Sequence, residues 1–198
     1  MVGTLFLICQ KLIQDKIMIK IKPAIHNLFN DCFIYLLIFF VLTANSLCFA
    51  SDIAKEKRWA DQVTDSLMDG EVVYLTNEEQ EFLALDMPPE EGINKKAAET
   101  GVIVIHGIGV HPNWAEVVQP VRIRLSEAGW HTLSIQMPVL ENDAGFNDYL
   151  PLMNEVAPRI NAAIRYLQKA GMKKIVLIAH SLGTYMSSYY LVESHQQE

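Results

Sequence analysis

Residues 174–186 read KIVLIAHSLGTYM, and this stretch decides the fold. An apolar run of strand length leads into a short turn, and a helical pattern of apolar residues follows the turn. Ser181 lies in the turn, within a small-x-Ser-x-Gly pattern formed with Ala179 and Gly183. The sequence therefore predicts a buried strand, a tight turn that carries a serine, and the beginning of a helix.

The residues beside Ser181 suit a turn in which a strand and a helix pass close together. Ala179 stands where the pattern usually has glycine, and a methyl group is the smallest side chain that can be added there. Gly183 leaves space on the helix side, and His180 is predicted to be a turn residue that faces away from the serine. The Leu182 N–H, at the helix N-terminus, is expected to face the oxyanion of a tetrahedral intermediate.

A second glycine-rich turn lies 75 residues before the serine. Residues 101–109 read GVIVIHGIG, a strand pattern that ends in His106 and Gly107. An oxyanion hole needs a second donor, which a loop after an earlier strand supplies. We expect this donor to be the Ile108 N–H, with Gly107 and Gly109 as alternatives. A small-x-Ser-x-Gly string is common by chance, but its pairing with this upstream turn is specific.

Short apolar runs alternate with helical patterns from residue 101 onward. The predicted strands are GVIVIHG, HTLSIQMP and KKIVLIAH, and the predicted helices cover residues 113–129, 151–171 and 183–195. Continuous apolar strands separated by helices are typical of a parallel sheet that is covered on both faces. Pro120 indicates that the first of these helices begins near Gln119, and Pro158 is expected to kink the second or to mark its start.

The region before residue 101 has a different pattern. Residues 52–69 predict an amphipathic surface helix. EVVYLT at residues 71–76 and EFLALD at residues 81–86 are separated by turn residues at hairpin length, which predicts an antiparallel hairpin. We therefore expect an α/β fold with a mostly parallel sheet, helices on both faces and a short hairpin in front.

The pair VIVIHGIG and VLIAHSLG resembles the α/β-hydrolase superfamily over residues 71–195. Four segments of the sequence are similar to those of a subgroup of uncharacterised exported bacterial α/β-hydrolase-like proteins. These segments are EFLALDMPP, IHGIGVHPNW, GWHTLSIQMPVL and AHSLG. The resemblance implies the N-terminal two-thirds of that fold, with Ser181 as nucleophile of an esterase- or lipase-like acyl hydrolase. It also implies a small-molecule ester or acyl substrate, with no metal and no organic cofactor.

In this superfamily an acid and then a histidine follow the serine, each on a loop after a later strand. Only 17 residues follow Ser181, and they read as one helix. His195 lies 14 positions along that helix, which places it roughly 20 Å from the serine, beyond the reach of a general base. His106 and His111 lie on a loop that should border the site, although a histidine that ends a strand more commonly packs there.

The acidic residues Glu141 and Asp143 could line the pocket, but they are also typical of a solvated loop. We therefore expect a chain that is the N-terminal part of a longer hydrolase and is inactive or weakly active by itself. The alternative is a non-catalytic periplasmic binding protein that keeps the α/β-hydrolase fold.

Residues 33–50, FIYLLIFFVLTANSLCFA, have the features of a signal peptide. The uncharged run from Phe33 to Leu42 is about half the length that a membrane-spanning helix needs. Lysines precede it, and small residues, Cys48 and Ala50, precede Ser51. We expect export to the periplasm with cleavage after Ala50, from a translation start at Met1 or Met18. The rival reading is an uncleaved inner-membrane anchor.

The composition excludes several other functions. All three cysteines fall within residues 1–50, so the predicted mature chain has no thiol for disulfides, zinc or nucleophilic attack. From residue 51 onward there are 12 lysines and arginines against 21 aspartates and glutamates, a net charge of −9. This charge disfavours nucleic acid and anionic membranes as partners. We therefore expect a leader (1–50), an N-terminal helix, hairpin and loop (51–100), and a hydrolase core incomplete at its C-terminus (101–198).

Overall fold

The sheet of the protein has five strands, as seen in a computed structural model that describes residues 50–77, 80–89 and 99–196. The strands are β1 (Glu71–Thr76), β2 (Glu81–Met87), β3 (Thr100–Ile105), β4 (His131–Ile135) and β5 (Lys174–Ala179). Their order across the sheet is β1-β2-β4-β3-β5. Strand β2 is antiparallel to both β1 and β4, and β3 is parallel to both β4 and β5. Four strands therefore run in one direction and β2 opposes them.

The connections are helical, as the alternating pattern predicts. The helices are α1 (Ile53–Ser66), α2 (Val118–Glu127), α3 (Met153–Lys169) and α4 (Leu182–Gln196), and a 3₁₀ helix spans Phe146–Leu152. The Asp52 carboxylate caps α1 by accepting a hydrogen bond from the Lys55 N–H at 2.8 Å. All described residues belong to one unit, Phe49–Glu198.

The apolar core lies on both faces of the sheet because successive side chains of a strand point to opposite faces. In β3, Ile103 and Ile105 pack on the side that holds the apolar residues of α3 and α4. Val102 and Val104 pack on the other side, against Val118 of α2. Helix α1 covers β2 on a further cluster of apolar residues. The predicted α/β fold, with helices on both faces, is confirmed.

The hairpin prediction is also confirmed. Residues 71–76 pair with residues 81–86, and Thr76 faces Glu81 beside the turn. The Asn77 N–H donates to the Gln80 carbonyl at 3.2 Å, and the Asn77 side chain accepts from the Gln80 N–H at 3.0 Å. The hairpin therefore closes through the asparagine that the sequence places at its first turn position.

The structure defines where two predicted helices begin. Helix α2 starts at Val118, next to Gln119, as Pro120 indicates, and residues 111–114 form a turn in which the Trp114 N–H donates to the His111 carbonyl. Helix α3 starts at Met153, five residues before Pro158, so Pro158 does not mark its beginning. The segment before it is a 3₁₀ helix rather than the first α-helical turn.

The predicted leader lies outside the described residues except for Ala50, and so does most of the predicted loop at residues 88–96. Among the helices that the structure describes, none has the length and apolar content needed to span a membrane.

Candidate active site

The site lies where the three neighbouring parallel strands end at one edge of the sheet. Ile105 of β3 pairs with Ile135 of β4 and with Ala179 of β5, so the loops that follow these strands emerge side by side. They carry the His106-Gly107 turn, the Gln136-Met137 segment and Ser181. The carboxyl edge of parallel strands is where such sheets usually bind ligands.

Ser181 is held in a strained backbone conformation. Its φ is +55°, and no other non-glycine residue among those described has a positive φ. An L-residue in this left-handed region costs about 1–2 kcal/mol. The turn is fixed by hydrogen bonds from the Gly183 N–H to the His180 carbonyl and from the Thr184 N–H to the Ser181 carbonyl, each 2.9 Å. The side chain is exposed and makes no hydrogen bond to any described residue.

Glycines allow the turn to pack closely against the loop after β3. A Cβ at Gly183 would lie 2.5 Å from the His106 carbonyl oxygen and 2.8 Å from that of Ile105. A Cβ at Gly107 would lie 2.9 Å from the Cβ of Ser181. Because backbone atoms cannot yield at these distances, both positions require glycine. The His106-Gly107 loop therefore lies directly against the serine, as the pairing of the two motifs predicts.

The structure describes the predicted oxyanion donors. Leu182 is the first residue of α4, and its N–H has no hydrogen-bond partner among the described residues. The Ile108 N–H also has none there. The Gly109 N–H approaches the Tyr149 hydroxyl instead. The Gly107 N–H has no backbone partner either, so Ile108 and Gly107 are both favoured over Gly109 as the second donor, and the role of these groups as an oxyanion hole stays a prediction.

His106 is buried and positions the loop rather than acting as a base. Its Nε2 accepts a hydrogen bond from the Met137 N–H at 2.9 Å, so its Nδ1 carries the proton and donates to the Gly107 carbonyl at 2.8 Å. Burial lowers its pKa to about 4, and the imidazole is neutral at pH 7. With both ring nitrogens engaged, His106 fixes the turn that contacts Ser181.

Two further histidines near this edge are directed elsewhere. The Nδ1 of His111 accepts from the Asn113 N–H at 3.2 Å, and its ring lies 5.7 Å from the Trp59 ring of α1. Burial lowers the pKa of His111. The His180 ring packs 5.4 Å from that of Trp114, and its buried Nδ1 has no partner among the described residues. Neither histidine hydrogen-bonds to the serine.

The remaining described histidine lies at the opposite edge of the sheet. His131 begins β4, and its Nε2 is 2.7 Å from the Asp86 carboxylate. The length of β4 places it roughly 15 Å or more from Ser181. The His195 side chain lies outside the described residues.

The residues around the serine differ in part from the sequence expectation. Glu141 and Asp143 are exposed. Phe146 and Tyr185 form an exposed apolar pair, with ring centroids 5.2 Å apart and edge-to-face geometry. Tyr185 lies one helical turn after Ser181, a spacing visible in the sequence, but no local pattern could place Phe146 beside it.

A cavity of about 220 Å³ lies between α1 and the hairpin, and its lining does not include the serine. Within residues 50–77, 80–89 and 99–196, no group of three histidine, cysteine, aspartate or glutamate side chains could hold a metal ion.

A comparison with protein families identifies relatives at the level of sequence. Residues 52–150 match the model of DUF3530, a family described as proteins of unknown function. The chain belongs to the DUF3530 family. A search of curated proteins found no match.

Solved structures of similar fold are serine hydrolases and esterases. Est1E from Butyrivibrio proteoclasticus is 19% identical, with a TM-score of 0.46 over 62% of this chain and 46% of its own. A serine hydrolase homologue from Coxiella burnetii is 21% identical, with a TM-score of 0.45 over 62% of this chain and 57% of its own. XC6422 from Xanthomonas campestris, described as a serine hydrolase without a lid, is 15% identical (0.47, 65% and 58%). This DUF3530 chain spans about half the length of these proteins.

Fold and site geometry agree with the relationship that the sequence motifs indicate. The strained serine between β5 and α4 lies at the carboxyl edge of the sheet, against the glycine turn that follows β3. A strained serine between a strand and a helix is the local geometry that the motif at residues 179–183 predicts. The α/β fold predicted from the sequence agrees with the observed sheet, and the role of Ser181 stays a prediction.

Proposed function

We propose that Ser181 is the nucleophile of an enzyme that hydrolyses small carboxylic esters or related acyl compounds. The observation that carries the proposal is the strained, exposed serine at the N-terminus of α4, with the Gly107 turn directly against it. Strain of this kind persists only where the surrounding structure enforces it, and it is concentrated at functional sites. Nothing in the packing of the core requires the Ser181 hydroxyl.

The proposed reaction follows from the donors around the serine. The Ser181 Oγ attacks the ester carbonyl while a general base takes its proton, which gives a tetrahedral oxyanion. The unpaired N–H groups of Leu182 and Ile108 stabilise this oxyanion, and each such donor contributes about 3 kcal/mol to the transition state. Loss of the alcohol leaves an acyl-enzyme, which water then hydrolyses.

No described histidine side chain hydrogen-bonds to Ser181. His106 uses both ring nitrogens to hold its loop, and His111 and His180 pack against tryptophan rings. We therefore propose that the chain as given has at most weak activity, since a serine without a base is a poor nucleophile. The base and its acid partner would come from outside the described residues.

The exposed pair Phe146 and Tyr185 is proposed to contact the apolar part of the substrate. Tyr185 projects from the first turn of α4, close along the helix to Ser181, and Phe146 packs against it. Esters with an apolar chain of a few carbons would cover this surface, which favours them over acetate esters. This part of the proposal concerns preference and does not affect the role of the serine.

Ester hydrolysis by the complete gene product tests the proposal. We expect turnover of p-nitrophenyl butyrate that Ser181→Ala reduces by at least about 10³-fold. Ser188→Ala is the matched control, because Ser188 is an exposed serine on the same helix whose hydroxyl bonds to the Thr184 carbonyl. Equal rates for wild type and Ser181→Ala would exclude the catalytic role.

A second candidate, a non-catalytic periplasmic binding protein, is favoured because no described histidine side chain hydrogen-bonds to the serine. It predicts that no strand, acid and later histidine are encoded past codon 198 in any frame, and that the gene product hydrolyses no ester. The two candidates are therefore separated by the DNA that follows the codon for Glu198. Both candidate functions assume that the protein is exported. The protein would contact a membrane only if the leader at residues 1–50 is not cleaved.

A further inference from the structure

Ser51, the residue directly after the predicted cleavage position, is buried in the folded domain. Its side chain and backbone are 6% exposed, whereas Ala50 before it is exposed. Its backbone N–H donates to Glu155 Oε1 at 3.0 Å, and its hydroxyl donates to Glu155 Oε2 at 2.8 Å. Glu155 belongs to α3, 104 residues further along the chain. The start of the predicted mature chain is therefore bound by a specific carboxylate.

Glu155, which is partly buried, belongs to a group that also contains the buried residues Ser51, Glu56 and Arg159 and is here called the amino-terminal cluster. The Arg159 guanidinium is fully buried and donates to both oxygens of Glu56, at 2.8 and 3.0 Å. It also lies 3.4 Å from the Ser51 hydroxyl and 3.5 Å from Glu155 Oε2. The four residues thus bring α1 and α3 together through one network.

The charges of the amino-terminal cluster do not balance while Ser51 is part of a peptide bond. Two carboxyl groups then share one guanidinium, and a charge that is mostly removed from water is costly when no opposite charge pairs with it. Burial raises the pKa of Glu56, and the neighbouring Glu155 raises it further. The nearby Lys55 ammonium does not supply the missing cation, because it binds the Leu140 carbonyl and the Asn142 side chain, both at 2.7 Å.

We infer that hydrolysis of the Ala50–Ser51 bond supplies this cation, and that Glu155 is the binding site for the new α-ammonium group of Ser51. A peptidase of the export machinery adds one water across the bond, with OH going to the Ala50 carbonyl carbon and H to the Ser51 nitrogen. At neutral pH the products are a carboxylate and an ammonium. The nitrogen already lies 3.0 Å from Glu155, so the cut replaces an amide donor with a charged one.

The site connects the new N-terminus to the loops beneath the serine. Arg159 also donates to the Gln136 carbonyl at 3.1 Å, and the Gln136 side chain lies 3.1 Å from His106 Nε2. His106 in turn fixes the Gly107 turn. Processing therefore stabilises the domain at a point that supports the candidate active site, but the inference does not depend on Ser181 being catalytic.

The ion pair between the Ser51 α-ammonium and Glu155 makes the stability of the processed protein depend on pH, and the stability should decrease as the pH rises. An α-amino group has a pKa of about 7.7–8.0 in an unfolded chain, and pairing with Glu155 raises it in the folded state. The stabilisation is full below about pH 7.7 and is lost as the pH rises through the folded pKa. The ionisable groups that face the amine or lie beside it are Asp52, Lys55, Glu56, Glu155 and Arg159.

Mass analysis of the N-terminus is the first test. The full 198-residue chain is expressed with its leader in a bacterial host, and the exported protein is purified. We expect Ser51 to be the first residue of the product. A product that starts at any other residue, or that retains the leader, overturns the inference.

Amine labelling of the processed protein tests the contact without any substitution. We expect an amine-reactive reagent to modify the Ser51 α-amine at least about ten times more slowly in the folded than in the denatured protein, because a buried, ion-paired amine is a poor nucleophile. Lys57 is the internal control, since its side chain is 77% exposed and should label at similar rates in both states. Equal folded and denatured rates at Ser51 contradict the inference.

Thermal unfolding of processed variants tests the partner. Between pH 7 and pH 10 we expect the Tm of the wild type to fall about 3 °C further than that of Glu155→Gln. Glu99→Gln is the control, because Glu99 forms an exposed ion pair with Lys173 and should follow the wild type. If the Tm of the wild type and of Glu155→Gln changes with pH in the same way, Glu155 is not the partner of the Ser51 amine. If Glu155→Gln does not fold, the labelling experiment alone tests the contact.

Discussion

The two edges of the sheet hold polar residues in opposite states of burial. At the carboxyl edge of the parallel strands, Ser181 is exposed and has no hydrogen-bond partner among the described residues. At the other edge, His131 and Asp86 are 6% and 7% exposed and lie 2.7 Å apart. One edge has an exposed serine to which no described histidine side chain hydrogen-bonds, and the other has a buried carboxylate–imidazole pair. Exposure and backbone strain distinguish the proposed nucleophile from the buried pair.

The largest expected effect comes from closing the space that the elbow requires. Gly183→Ala places a methyl group 2.5 Å from the His106 carbonyl oxygen. Neither the helix backbone nor the loop backbone can move enough to relieve this clash. We expect a loss of about 3 kcal/mol or more in the free energy of unfolding, measured with urea. Gly145→Ala is the control, since a Cβ there meets nothing closer than 3.8 Å. Similar losses for both variants would show that the close approach is not what holds the elbow.

The second prediction concerns the pH dependence of stability that arises from His106, beside Ser181. The folded pKa of His106 is about 4, below the value of about 6.5 for an unfolded histidine. The unfolded chain therefore binds the proton first, and stability falls as the pH drops from about 6.5 towards 4. The loss from this group is about 1.4 kcal/mol per pH unit and reaches about 3 kcal/mol near pH 4.

Titration of the His106 ring by NMR, together with urea unfolding at each pH, checks this behaviour. Glu56, whose pKa burial raises, acts in the opposite direction and gains stability as the pH falls, so the ring titration is the specific readout. A His106 midpoint near 6.5 would mean that the loop is not fixed by a neutral imidazole.

The third prediction tests the opposite edge. Asp86→Asn removes the charge of the buried pair and leaves His131 with a weaker partner, and we expect a loss of about 2 kcal/mol. The control is Asp61→Asn, because Asp61 and Lys57 form an exposed pair at 3.6 Å that contributes under about 0.5 kcal/mol. Ester hydrolysis by the complete gene product should be unchanged in either variant. A selective loss of activity in Asp86→Asn would give this edge a functional role.

The smallest expected effect is a gain in stability rather than a loss. Ser181→Gly removes the penalty of a positive φ, and we expect a gain of about 1 kcal/mol in stability, although glycine also increases the entropy of the unfolded chain. Ser181→Ala keeps the strain and should be close to neutral. A loss of stability in Ser181→Gly would indicate a structural role for the hydroxyl.

Local features of the site could be read from the sequence. The elbow at Ser181 is a strand, a turn and a helix that are continuous in the chain, and the demand for small residues at positions 179 and 183 follows from steric contact alone. The His106-Gly107 turn also follows from the sequence, because a loop after an earlier strand is expected to supply the second oxyanion donor. The predicted signal peptide stays a prediction, because it lies almost entirely outside the described residues.

Features that depend on distant pairing could not be read in this way. Glu155 and Arg159 are four residues apart on one helix, a spacing typical of an exposed ion pair. Here Arg159 is fully buried and Glu155 is partly buried, because Glu56 of α1 and Ser51 meet them across more than 100 residues of chain. The contact of His106 with Met137 likewise depends on β4 lying next to β3 in the sheet.

Labelling with a fluorophosphonate probe tests the central claim most directly, since the probe reports an activated serine without knowledge of the substrate. The complete gene product is treated with the probe, and the modified peptide is identified by mass spectrometry in the wild type, Ser181→Ala and Ser188→Ala. We expect modification at Ser181 in the wild type and in Ser188→Ala, and none in Ser181→Ala. Absence of labelling at Ser181 in the folded gene product, or labelling at another serine, would contradict its role as the nucleophile.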